Sequence, residues 1–144
     1  MGKIRRFLKL TRSERGLLLK AAFFLLAVRL GLSLLPFRIF RRFLERVLRS
    51  AALPAAPVPS AERIAQAIAS ASRHLPGTRN CLVRALATQI FLHRMGYQAS
   101  LRIGVRRDSA APLAAHAWVE EQGNVRIGGS ETGRFVPLEP AEFR

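Results

Sequence analysis

The stretch Asn80-Cys81-Leu82-Val83-Arg84-Ala85-Leu86-Ala87, followed 35 residues after its cysteine by His116-Ala117-Trp118-Val119-Glu120, decides how this 144-residue chain reads. Cys81 is the only cysteine. It cannot close an internal disulfide, and one thiol is too few for a zinc site. Pro76-Gly77-Thr78-Arg79 is turn-forming, so Cys81 opens the apolar helix that follows. At a helix start, unpaired N–H groups and the helix dipole favour the thiolate. The plain alternative is a buried structural thiol, since free cysteine is among the most buried residue types. A histidine brought to the thiolate by the fold supplies instead the minimum of a cysteine acyl-transfer site.

Upstream, Ser60 caps a helix from Ala61 to about His74, with Ile64, Ala67, Ile68 and Ala71 on one face. Residues 51–60 carry three prolines and read as a linker. Before it, residues 1–50 form a basic, apolar helical region for docking or membrane-surface contact, and 61–144 form the core. Thr11-Arg12-Ser13-Glu14 has the form of a capping box that starts a helix ending near Pro36. A second helix runs from Phe37 to about Arg49. Its apolar positions Phe40, Phe43, Leu44, Val47 and Leu48 oppose an arginine face.

The charge is uneven. Residues 1–50 hold 13 Lys/Arg against 2 acids, while residues 51–144 hold 11 against 7. A basic half invites nucleic acid, an anionic membrane surface or an acidic protein. No zinc finger, RNP-type strand or helix-turn-helix pattern is present, so nucleic acid is not expected. Residues 17–35 are nearly long enough to span a bilayer, but Lys20 and Arg29 interrupt them. A central Arg costs about 2.5–3.5 kcal/mol on insertion scales. Surface association or packing is expected rather than a span. No small-residue cleavage site follows the apolar run, so no secretory signal is expected.

Beyond Gly96, which suits a helix stop, the period changes to two. Ala99, Leu101, Ile103 and Val105 alternate with Ser100, Arg102, Gly104 and Arg106. Further strands are expected at Ala115–Glu121, Val125–Gly129 and 135–138. Helices first and antiparallel strands last make an α+β layout. His116, Trp118 and Glu120 share one face, which suits a cleft against the Cys81 helix end. His74 and His93 have a bland explanation as helix-end surface residues. A three-residue hairpin loop, Gln122-Gly123-Asn124, pairs Val119 with Ile127 and Glu120 with Arg126, and sets His116 opposite Ser130. A Cys–His pair usually wants a third group to orient the imidazole. Glu131, swung inward by a bulge at Gly128-Gly129, is the tentative choice; Asp108, Ser130 and Glu120 are the alternatives. Glu120 lies roughly 13 Å along the strand from His116, too far to bond it directly.

The run from Cys81 to Ala87, then Gly96-Tyr97, Leu101-Arg102-Ile103-Gly104-Val105 and Ala115-His116-Ala117-Trp118-Val119-Glu120, resembles the leader-peptidase domain of lasso-peptide biosynthesis B proteins, in the transglutaminase-like superfamily. Leu34-Leu35-Pro36-Phe37-Arg38 resembles the helical lead-in of the standalone form. The resemblance implies a papain/transglutaminase-like α+β core, with a nucleophile helix packed on a small antiparallel sheet behind N-terminal helices. It implies a cytoplasmic cysteine peptidase, peripheral at the membrane if residues 1–50 reach it. The substrate would be a ribosomally made precursor peptide, and the partners a separate leader-binding protein and an ATP-dependent lasso cyclase. The nucleophile carries onto Cys81 and the base onto His116. The family's acid falls on Gly128 or Gly129. The Cys81 backbone N–H, with the Asn80 side chain, would form the oxyanion hole. No metal and no cofactor is expected. A transglutaminase-like acyl transferase and a non-catalytic basic adapter with a decayed site are the rival readings.

Overall fold

Thr11 starts the longest helix as its sequence leads one to expect. In the computed structural model, which describes residues 2–50, 58–106, 114–128 and 136–137, the Thr11 N–H donates to the Glu14 carboxylate at 2.9 Å and the Glu14 N–H donates to Thr11 Oγ1 at 3.3 Å. This reciprocal cap follows a short helix α1 (Gly2–Leu8) and opens α2 (Arg12–Leu34). Gly2–Leu8, ahead of the Thr11 cap, is thus helical as well. Pro36 ends the run and stands before α3 (Phe37–Arg49). Ser60 accepts from the Arg63 N–H and opens α4 (Ala61–Ser72). Asn80 accepts from the Leu82 N–H at 2.8 Å and opens α5 (Cys81–Arg94).

Four strands follow: β1 (Ala99–Arg106), β2 (Ala114–Glu121), β3 (Asn124–Ile127) and β4 (Val136–Pro137). They form one sheet in the order β3-β2-β1-β4, with every pair antiparallel. The architecture is the expected α+β one, N-terminal helices packed against a small antiparallel sheet.

The hairpin between β2 and β3 differs from the expected one in an instructive way. Its turn holds two residues, Gln122 and Gly123, both at positive φ (50° and 77°), a conformation that matches the sheet's twist. Glu121 pairs with Asn124 and Glu120 with Val125. A register shift between Val119 and Glu120 then restores Val119 opposite Ile127, as the pattern requires. Arg126 consequently pairs with the buried Glu121, at 2.8 Å, rather than with Glu120.

One hydrophobic cluster joins helices α2 to α5 to the sheet. It takes Ala21, Leu25 and Val28 from α2, Phe40 and Leu44 from α3, Ile64 and Ile68 from α4, Phe91 and Leu92 from α5, and Ala117, Val119 and Ile127 from the sheet. The core therefore runs across the Pro-rich 51–60 segment, of which residues 51–57 lie outside the described ones. Phe43, expected on the inner face of α3, is 61% exposed, while Phe40 and Leu44 fill that role. Gly31 lets α3 approach α2: a Cβ there would meet the Phe40 ring at 2.7 Å. His74 is exposed as expected, whereas His93 does more than expected and bonds the Ala99 carbonyl at 3.0 Å.

Candidate active site

Cys81 is the first residue of α5, half-exposed and unoxidised. The turn before it is fastened from within. Thr78 is fully buried, and its hydroxyl donates to Leu75 O at 2.8 Å and Ser72 O at 3.2 Å. From outside, the Arg29 guanidinium on α2 donates to Pro76 O at 2.6 Å. Arg29, which argues against a span in sequence, is thus the clamp that joins α2 to the turn before Cys81. The Asn80 cap uses the oxygen end of its carboxamide; the NH₂ end is the part able to donate to an oxyanion.

Arg84 stands one helical turn after Cys81, a residue that the sequence reading passed over although its i,i+3 spacing puts it on the same face. Its Nε is buried and makes no hydrogen bond among the described residues. Burial pushes its pKa down, nearby Arg73 adds to this, and the negative charge available at Cys81 opposes it.

His116 is half-buried on β2. Its Nε2 lies 2.8 Å from the Gly128 carbonyl oxygen. A carbonyl only accepts, so the neutral ring carries its proton on Nε2 and its lone pair on Nδ1. The Gly128 carbonyl is thus one group that helps to hold the ring. Gly128 is suited to this position. Its φ is +81°, and a Cβ there would meet Ala117 O at 2.9 Å and His116 Nε2 at 3.3 Å. The ring stacks over Trp118, with centroids 6.1 Å apart and planes 22° apart. Trp118 Nε1 donates to Glu120 at 2.9 Å, and Glu120 also pairs with Arg102 at 3.4 Å. Glu120 is thus committed to its own neighbours, in line with its expected distance from His116. Glu131, Ser130, Asp108 and Gly129 lie outside the described residues.

Two hydrogen bonds set α5 against β1. Gln89 and His93 both reach the Ala99 carbonyl, at 3.5 and 3.0 Å, which levels the second half of α5 with the start of β1. From there Cys81 is about 15 Å back along the helix, at 1.5 Å per residue. Gly104, which pairs with His116, is roughly 16 Å along the strand, at 3.3 Å per residue.

The faces differ, however. Leu101, Ile103, Ala117 and Val119 belong to the core shared with α5. Alternation puts His116, Trp118 and Glu120 on the other face. The aliphatic face of β2 is therefore the one that packs in the core with α5. One strand cannot turn both faces to the same helix, and burying the aliphatic face wins.

Among the described residues, no group of three or more His, Cys, Asp or Glu could hold a metal ion. N-terminal helices packed against a small antiparallel sheet, with a cysteine opening the capped helix α5, are consistent with a transglutaminase-like α+β core. Residues 22–139 match the family model of the transglutaminase-like superfamily, and the chain belongs to that superfamily, which is associated with lasso-peptide biosynthesis B proteins. No curated protein and no solved structure matches it.

Proposed function

We propose that this protein is a cysteine peptidase that removes the leader from a lasso-type precursor peptide. The observation that carries the reading is Cys81 itself: a half-exposed thiol at a capped helix N-terminus, with Arg84 one turn on, in a transglutaminase-like chain. Cys81 Sγ attacks the carbonyl carbon of the leader–core peptide bond. His116 takes the thiol proton at Nδ1 and delivers it to the leaving amine of the core peptide. The Cys81 N–H and the Asn80 NH₂ stabilise the tetrahedral oxyanion. Water then hydrolyses the thioester, which frees the leader carboxylate and returns the proton to sulfur. The precursor peptide, a separate leader-binding protein and a lasso cyclase are the partners that this reading names.

The reading demands that His116 reach Cys81 around the end of the sheet, and the test is aimed there. Cleavage of the precursor should be lost in Cys81→Ala and in His116→Ala, with the double variant little worse than either. Alkylation of Cys81 by iodoacetamide should be slowed at neutral pH by His116→Ala. Cleavage that survives Cys81→Ala overturns the peptidase; alkylation unaffected by His116→Ala overturns the pairing. The superfamily name favours one second reading, acyl transfer to an amine instead of water. Added primary amine would then appear in the product as an amide.

A further inference from the structure

The described residues leave a large apolar surface uncovered on one side of the molecule. Among the described residues, all the exposed large hydrophobic ones except Val58 and Val125 lie between Ile4 and Phe43. Along α2 they recur at helical spacing, Leu19, Phe23, Leu26, Leu30 and Leu34, with Phe23 66% and Leu34 75% exposed. On α3, Phe37 and Phe43 are exposed by 62% and 61%. Phe23 and Phe43 line one groove of about 280 Å³, so the two helices present a continuous patch. A patch of this kind on a soluble surface marks an interaction site.

Its charge points to the partner. Residues 1–50 hold 13 Lys/Arg and only two acids. Both acids are already engaged: Glu14 closes the Thr11 cap, and Glu45 pairs with Arg41 at 3.2 Å. The patch thus combines aliphatic and aromatic side chains with a nearly unopposed positive field. An anionic bilayer offers both complements at once, an acyl layer for the phenyl rings and headgroups for the arginines.

The same helix is long and apolar enough to cross a membrane by length and composition. Its inner face, though, is committed. Ala21, Leu25 and Val28 are buried in the core, and Arg29 holds Pro76 O. We infer that the outer faces of α2 and α3 form a peripheral docking surface for an anionic lipid bilayer, lying along the membrane rather than through it. This surface is independent of the peptidase reading and would serve any activity of the chain.

The experiment is flotation of the full chain with vesicles of phosphatidylcholine alone and of phosphatidylcholine mixed with phosphatidylglycerol. The chain should float with the anionic vesicles and not with the neutral ones, and raised salt should cut binding about tenfold or more. Phe23→Gln combined with Leu30→Gln should abolish flotation at an unchanged unfolding temperature, while Val125→Gln changes nothing. Arg38→Gln with Arg42→Gln should lower binding without removing any apolar contact. Failure to float with anionic vesicles overturns the inference, as does full binding by the Phe23/Leu30 variant. Resistance to carbonate extraction would show a span and overturns it too. Self-association that those two substitutions abolish, without vesicle binding, would assign the patch to a second copy instead.

Discussion

Gly128 shows how much a single residue can hold. Its positive φ aims its carbonyl at His116, and its missing side chain leaves room for the imidazole. Gly128→Ala should cost about 1–2 kcal/mol, the usual penalty of a left-handed residue, in chemical denaturation. If the proposed peptidase reading holds, it should also lower precursor cleavage, because the added Cβ crowds the ring's hydrogen bond. Arg126 makes a different point. It is the partner of Glu121, whose side chain is 3% exposed. Removing the cation leaves a buried carboxylate without its ion pair, so Arg126→Ala should destabilise by about 3 kcal/mol. A double-mutant cycle should find strong coupling of Arg126 to Glu121 and almost none to Glu120. Coupling to Glu120 instead would restore the simpler hairpin register.

At the scale of elements, α2 is fastened at both ends. Its start depends on the Thr11–Glu14 box. Hydrogen bonds from the Thr11 backbone, then from its hydroxyl, hold the Glu14 carboxyl below the usual range, with burial opposing weakly and Arg63 helping. A depressed acid stabilises the fold above its unfolded pKa, and that contribution is lost as pH falls through its folded pKa. The advantage of wild type over Glu14→Gln in thermal unfolding should therefore shrink on acidification through the carboxylate range. Near its other end, Arg29 holds the turn that presents Cys81. Arg29→Leu should cost about 1 kcal/mol for the lost hydrogen bond. It should also speed amide hydrogen exchange at residues 77–80, which a purely local effect on α2 would not do.

For the whole molecule, the continuous core sets what can be removed. Leu25 and Val28 of α2 and Phe40 of α3 pack in the same cluster as Ile64, Phe91 and Val119. Deleting residues 1–50 should expose that cluster and abolish cooperative thermal unfolding. A truncated chain that still melts cooperatively would show that residues 61–144 fold alone. The family match starting at residue 22, inside α2, agrees with a shared core.

The sequence determined most of the local structure by itself. Caps at Thr11, Ser60 and Asn80, the stop at Pro36 and the change from helical to alternating period are all short-range signals, read within a turn or a strand. They suffice for five element starts and for the α+β class, and they bring Cys81 to the head of its helix. The Gly128-Gly129 pair could also be seen in sequence, but only as a candidate bulge. That the Gly128 carbonyl accepts a hydrogen bond from the imidazole depends on where β3 ends relative to β2. The tertiary structure decided this, together with the shift that gives Arg126 to Glu121. It also decided which face of β2 meets α5. Alternation divides a strand into two faces, yet only the competition to bury Ala117 and Val119 chooses the one turned to the helices. The outer apolar stripe of α2 belongs to the same category. A helix apolar around most of its circumference has no preferred face in sequence, and it was the packing of Ala21, Leu25 and Val28 that left Phe23 and Leu30 facing outward.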